Sequence, residues 1–263
     1  MNESCRYFDT HVHLDLPGEK GNLPQELHLA RQSGVGQFLV PGVKRSGWPD
    51  LMQLCRSHEG LFAAPGLHPM AADQWNGETR RELESLLCQP KVVAIGEIGL
   101  DATLPSPALP QQEAAFTGQL RLAVEAGLPV LIHCRRATGR LLEILRRENA
   151  RRVGGILHAF SGSLEVAREA VSLGFAIGVS GSVTFANARR LPQVVRHIEP
   201  DWLVLETDAP DMAPHPHRGE ANRPAWLPLV AAAVAELRGW ELEQTAGITT
   251  ANARRVLRLP AGG

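Results

Sequence analysis

Cysteine is sparse, and nothing in its spacing pairs it. Cys5, Cys55, Cys88 and Cys134 are scattered through 263 residues with no C-x-x-C pair and no closely spaced framework. That excludes a disulfide scaffold and argues for reduced thiols in a cytoplasmic protein. An excess of charge is missing as well. Lys and Arg number 27 against 28 Asp and Glu, a formal net charge of −1. A tail-driven nucleic-acid binder is thereby excluded, and any polyanion must be met by a local patch. No apolar run approaches the roughly 18 residues of a membrane span, and "MNESCRYFDT" has no basic segment followed by an apolar one. Low-complexity tracts, linkers and internal repeats are also lacking, and no G-x-G-x-x-G follows the first strand-like run. Neither a membrane nor an obligate protein partner is expected.

Against those absences stands a rhythm. Eight short runs rich in β-branched residues recur: "RYFDTHVH", "QFLVPGV", "FAAPGLH", "VVAIGEIG", "PVLIHCR", "GGILHAF", "FAIGVSG" and "WLVLETD". They are continuously apolar rather than alternating, as strands buried on both faces are. Helical periods lie between them, at Pro24–Ser33, Leu51–His58, Gln111–Ala126 and Leu164–Leu173, each followed closely by glycine. Eight β-then-α units predict a parallel α/β fold with right-handed crossovers. Roughly 250 residues is the usual size of a TIM-type (β/α)8 barrel. One barrel domain over residues 1–263 is therefore expected, with an open doubly wound sheet as the other topology. The irregular stretches "LDATLPSPALP" and "APDMAPHPHRGEANRP" follow strands four and eight, at the end where such barrels build sites.

Asp9-Thr-His-Val-His13 places two imidazoles in the first of these runs. In a strand, His11 and His13 share a face with Tyr7, Asp9 and Asp15. Alone, that pair fits a hydrogen-bonded core as well as a site. The other strand ends decide what company it keeps. Strand three ends at His68, strand four at Glu97, strand five at His133, strand six at His158, and strand eight at Glu206 and Asp208. Parallel strands bring all these ends to one barrel face. His28, His58 and His197 fall on helices and read as surface side chains.

His11, His13, His133 and His158 with Glu97 and Asp208 are too many ligands for one tetrahedral zinc. They suit two divalent ions about 3.5–4 Å apart bridged by a carboxylate and a hydroxide. Glu97 can bridge because each of its oxygens can bind one ion. Nitrogen and oxygen donors without thiolate fit Zn, Mn or Ni, and Mg with more strain.

The wording around these residues resembles the TatD family of metal-dependent deoxyribonucleases, within the amidohydrolase-like superfamily. "DTHVHLD", "GLHP", "AIGEIGLD", "PVLIHCRRA", "HAFSGS", "WLVLETDAP", "NRP" and "TTANARRVL" span residues 9–257 in family order. "RRA" and "ETDAPDM" lean toward the YjjV-like branch. Many amidohydrolases place a carboxylated lysine at the end of strand four, where this chain has Glu97. "GLDATLP" departs from the family: Asp101 remains, but Ala102 and Thr103 supply no aromatic ring for stacking on a base.

The resemblance implies hydrolysis of phosphodiester bonds at DNA strand ends, or RNA ends, in the manner of a 3'-5' exonuclease. Asp208 would take the proton of the attacking hydroxide, and Glu206 would act behind it or as an acid/base group; a buried ion pair with a barrel arginine is the other reading of Glu206. His68 suits contact with substrate phosphate, or packing under Pro69. Arg135 shares the inward face with His133 and can grip phosphate bidentately, whereas Arg136 points away. Ser161-Gly-Ser163 can receive a phosphate on backbone N–H groups or simply cap a helix. Arg218, Asn222 and Arg223 can line a groove, and Trp226 reads as packing. Cys134 should face the helix layer. The same metals would also serve a small-molecule phosphoesterase or amidase, or a D-aminoacyl-tRNA deacylase. A silent metal-binding barrel fits poorly with an intact ligand set.

Overall fold

A computed structural model describes residues 6–14 and 23–260. Among these residues eight strands are present: β1 (Tyr7–Asp9), β2 (Val35–Pro41), β3 (Leu61–Ala64), β4 (Ile95–Asp101), β5 (Val130–Arg135), β6 (Gly155–Leu157), β7 (Phe175–Val179) and β8 (Leu203–Leu205). Among the described residues the helices are α1 (Leu23–Gln32), α2 (Trp48–Ser57), α3 (Gly77–Leu86), α4 (Leu109–Ala126), α5 (Thr138–Arg147), α6 (Leu164–Ser172), α7 (Arg190–His197), α8 (Leu227–Arg238) and α9 (Leu242–Val256). Every strand pairing is parallel.

The ladder forms two blocks, β1-β2-β3 and β4 to β8, and backbone hydrogen bonds join them at both seams. Val93 N donates to Ala63 O at 3.1 Å on one side. On the other, Thr10 N donates to Leu205 O at 3.0 Å and Asp208 N to His11 O at 2.9 Å. The sheet is therefore a closed barrel, and the open doubly wound alternative is set aside. Closure also leaves no strand edge to protect.

Strand side chains divide cleanly between two layers. Phe8, Leu39, Ala64, Ala94, Leu131, Ile156, Ala176 and Val204, one from each strand or its approach, form an inner cluster. Ala253 and Val256 of α9, with Leu257, pack into the same cluster and plug that end of the barrel. Their alternates, such as Phe38, Ile95, Ile132, Leu157, Ile177 and Leu205, join the helices in the outer cluster. Burial on both faces is the reason the strands read as continuous apolar runs.

Inward parity carries the inner layer up to the opposite mouth. Leu131 is followed on its face by His133 and Arg135, Ile156 by His158, and Val204 by Glu206 and Asp208. Strand β1 departs from the expected pattern. It ends at Asp9, so His11 and His13 lie beyond it, and Tyr7 packs in the outer layer while Phe8 faces in. The two histidines thus do not share a face with Tyr7 and Asp9; Asp15 lies outside the described residues. A bend at Thr10–His11 reverses the parity. The buried Asp9 carboxylate holds that bend, accepting from His11 N at 3.3 Å, Thr207 N at 2.9 Å and Thr207 Oγ1 at 2.5 Å.

Beneath the mouth, β4 and β5 approach so closely that Gly99 has room only for hydrogen. Its φ is +147°, and a Cβ there would stand 1.9 Å from His133 O. Gly99→Ala is expected to cost ~2–4 kcal/mol of stability through strain and overpacking. Urea unfolding followed by circular dichroism reads this directly, and wild-type stability would contradict the close approach of β4 and β5.

Candidate metal centre

Five histidines and four carboxylates, Glu97, Asp101, Glu206 and Asp208, meet at the C-terminal mouth, and Glu97 stands at their centre. Its Oε2 lies 3.3 Å from His11 Nε2. Its Oε1 lies 2.7 Å from His133 Nδ1, 2.9 Å from His158 Nε2 and 3.9 Å from His68 Nε2. Asp208 Oδ1 approaches His11 Nε2 at 3.5 Å and His13 Nε2 at 3.8 Å. His11 and His13 bring their Nε2 atoms within 3.3 Å of each other. Rings of His11 and His158 stack at 3.8 Å.

Three triads have ligand atoms close enough to share one cation: His11, His13 and Glu97; His11, His158 and Asp208; and His68, Glu97 and His133. No Lys or Arg among the described residues pairs with Glu97 or Asp208; their ion-pair partners are histidines. Lone pairs that converge without a fixed cationic side chain suit divalent metal, and the all-nitrogen and oxygen set fits Zn, Mn or Ni.

Electrostatics of the cluster point the same way. Burial would raise the Glu97 carboxyl, yet His158 and His11 hold it well below the usual carboxylate range. Burial would lower His158, but Glu97 and Asp208 hold it well above the ordinary imidazole value. Burial pushes Asp208 up to about 8, lowers His11 well below its usual value, and lowers His68 to about 4. Opposed shifts of this kind mark a tightly coupled group of buried ligand-type side chains.

Behind the ligands, the far nitrogens of His158 and His133 face carboxylates. His158 Nδ1 faces Glu206 Oε1 at 3.6 Å. Glu206 is fully buried and accepts from Ala159 N at 2.5 Å. No arginine pairs with it among the described residues, so the barrel ion-pair reading is not what the structure shows. Gly178 makes room for it: a Cβ there would meet Glu206 Oε2 at 2.4 Å. His133 Nε2 faces Asp101 Oδ2 at 3.3 Å, and Thr103 N and Oγ1 hold the other Asp101 oxygen at 2.8 and 2.5 Å.

Two buried glutamines of α4 were not singled out from the sequence. Gln112 accepts from Asp101 N at 2.8 Å and donates to Asp101 O at 3.0 Å. Gln119 accepts from Leu67 N at 2.7 Å and donates to Leu67 O at 3.1 Å. Seven residues apart, they lie on the helix stripe that also buries Ala115, Phe116, Leu122 and Ala123. An amide at a core position of an amphipathic helix was the signal available for them.

The expected substrate contacts divide. His133, Arg135, His158, Ser161, Asp208 and Met212 line a cavity of about 550 Å³ at the mouth, with Arg135 and Ser161 exposed. Asn222 does not line a groove. It is buried, and its amide donates to Thr207 O and Asp211 O at 2.7 Å each, tying the loop after β8 to its own strand. Arg223 pairs bidentately with Glu26 of α1, and Arg218 lies over the Phe185 ring at 4.5 Å. Ser163 caps α6, its Oγ accepting from Val166 N at 3.5 Å. Trp226 stacks on His217 at 3.9 Å. Cys134 reaches Thr138 Oγ1 of α5 at 3.6 Å while also bordering the mouth cavity, and burial raises its thiol. His28 and His197 are exposed, while His58 is half-buried far from the mouth.

The family model described as TatD related DNase matches residues 8–258. The metal-dependent hydrolase YabD of Bacillus subtilis is 39% identical, over 96% of this chain and 99% of its own. The 3'-5' ssDNA/RNA exonuclease TatD of Edwardsiella piscicida is 35% identical, over 96% and 99%. The crystal structure of YjjV from Escherichia coli superposes with a TM-score of 0.92 at 36% identity, covering 97% of this chain and 99% of that one. A closed eight-stranded barrel with this cluster at its mouth and these relatives belongs to the TatD-related DNase family of metal-dependent hydrolases.

Proposed function

We propose that this chain hydrolyses phosphodiester bonds at the 3' end of single-stranded DNA or RNA, using two divalent ions. The observation that carries the reading is the division of Glu97, one oxygen facing His11 and the other facing His133 and His158. His11, His13 and Asp208 would complete one ion's ligands, and His133 and His158 the other's. When bound, such a pair acidifies water and offsets the charge of a phosphodiester.

The chain's own groups do the rest. Asp208 stands at the cavity wall beside His11 and His13, where it accepts the proton of the attacking water. Glu206 sits behind His158 and orients it, out of contact with substrate. Arg135 grips non-bridging phosphate oxygens at the open side, and Ser161 supplies a further polar contact. Ala102 and Thr103 leave the loop after β4 without an aromatic ring. Met70, exposed beside His68, offers an apolar contact for a terminal base instead.

A strand-end exonuclease fits a cavity of nucleotide size better than a groove that tracks duplex DNA. The name borne by the Edwardsiella piscicida relative supports the same substrate. The test is a panel: 3'- and 5'-labelled single strands of DNA and RNA, duplex DNA, a simple phosphodiester and a D-aminoacyl-tRNA, each with metal-loaded protein. Stepwise shortening of single strands from the 3' end supports the reading. Turnover confined to the simple ester or to the aminoacyl-tRNA replaces it.

Glu97→Gln keeps the shape but loses charge and one of two metal-binding atoms. It should lower metal content, more at one ion than at the other, and reduce turnover about 10³-fold or more, some 4 kcal/mol of barrel-mouth catalysis. Elemental analysis alongside oligonucleotide turnover checks it; full activity with both metals retained removes Glu97 as the bridge. Cys134→Ser should keep turnover within a few-fold, because the thiol faces α5. A loss comparable to that of His133→Ala would show that the strand's facing is misjudged.

A further inference from the structure

One of the three ligand triads differs from the others. His68, Glu97 and His133 lie within reach of a common point, yet the His68 ring is already engaged on its far side. Residues Pro69–Gln74 form a short 3-10 helix, and its Met70 N–H donates to His68 Nδ1 at 3.1 Å. An N–H donates only to a lone pair, so Nδ1 carries no proton. Imidazolium, protonated on both nitrogens, is excluded. So is the form a metal requires, because a neutral imidazole that ligates through Nε2 keeps its proton on Nδ1. The remaining tautomer has an Nε2–H aimed into the site. The carboxylate oxygen it faces, Glu97 Oε1, is 3.9 Å away, beyond hydrogen-bond reach.

His133 shows the contrast. Both of its nitrogens face carboxylates, Glu97 at 2.7 Å and Asp101 at 3.3 Å. One nitrogen can ligate while the other donates, the usual arrangement of a metal-bound histidine.

The His68 main chain is held from two sides. Its own N–H donates to Val43 O at 3.0 Å, and Gln119 engages both backbone groups of Leu67. A donor fixed in this way costs no reorganisation when negative charge develops in front of it.

We propose that His68 is a catalytic hydrogen-bond donor and not a metal ligand: its neutral Nε2–H binds a phosphoryl oxygen of the substrate, and Gln119 is the residue that positions it. The identity of the acceptor rests on the phosphodiester reading above; the tautomer and the lack of metal at His68 do not. The proton stays on His68 throughout.

Three measurements on the full, zinc-loaded chain test this. Elemental analysis should find wild-type metal content in His68→Ala. Long-range ¹⁵N–¹H correlation of histidine-labelled wild type should show, for the signal missing from that variant, an unprotonated Nδ1 and a protonated Nε2. Turnover of a 3'-labelled oligonucleotide should fall about 10²–10³-fold in kcat for His68→Ala. His68→Gln, which restores an N–H donor, should recover about a tenth to all of that loss, and Gln119→Met should lower kcat with metal retained. Loss of a metal equivalent in His68→Ala, or a protonated Nδ1, overturns the proposal. Equal turnover by His68→Ala overturns it as well. If wild type cleaves no phosphodiester, the functional reading fails, and metal content and tautomer alone decide the state of His68.

Discussion

A carboxylate with almost no water contact costs several kcal/mol unless its oxygens are met by charge or by hydrogen bonds. Glu97 is in that position, and the barrel mouth is organised around meeting it. Three histidines from three different strand ends close on its two oxygens, with His68 further off at 3.9 Å. Imidazole suits this task better than lysine or arginine, because a neutral imidazole supplies a lone pair to a cation where an ammonium or guanidinium supplies only a charge. The arrangement satisfies the carboxylate without filling the place of a metal ion.

Such a cluster is destabilising by itself, so the fold must supply stability elsewhere. It does so by dividing the barrel along its axis. The inner layer from Phe8 to Val204, plugged by α9, is wholly apolar. Each large aliphatic or aromatic side chain buried there contributes about 1.5–3 kcal/mol. Polar side chains begin one inward position further on at His133, His158 and Glu206, and at Glu97 past the register shift between Ile95 and Ile98 in β4. Where two elements would collide at that boundary, glycine makes room: Gly99 beneath His133, and Gly178 beside the Glu206 carboxylate.

The barrel and the convergence of the ligand residues were legible in the sequence because both follow from strand direction. A parallel strand sends its end to a known face, and a polar residue at that end needs no further information to be placed. What was not legible depends on contacts across the chain. The parity of His11 and His13 was misjudged because the bend after Asp9 is held by Thr207, nearly 200 residues away. Asn222 sits in a loop rich in Pro, Gly and charge, and such composition suggested an exposed groove. Its burial comes from two carbonyls, of Thr207 and Asp211, that only the folded loop brings together. Gln112 and Gln119 carry no motif, and their role appears only when α4 is laid against the ends of β3 and β4.

Residue type alone does not tell apart the histidines at this mouth; for His68, His133 and His158 the atoms at the far nitrogens do. A carboxylate behind the ring leaves one nitrogen free to ligate and stiffens the other, as Asp101 does for His133; Glu206 stands behind His158 in the same sense, at 3.6 Å. A backbone N–H behind the ring demands a lone pair there and leaves a donor in front, as Met70 does for His68. The first arrangement suits a cation, the second an anion. On the function proposed above, a site that holds divalent metal and admits a phosphodiester beside it would need both kinds, and the barrel would obtain them from one side chain by changing only what stands behind it. The discrimination is therefore built into the loops and helix ends that follow the strands, which is where a sequence read strand by strand has least to say.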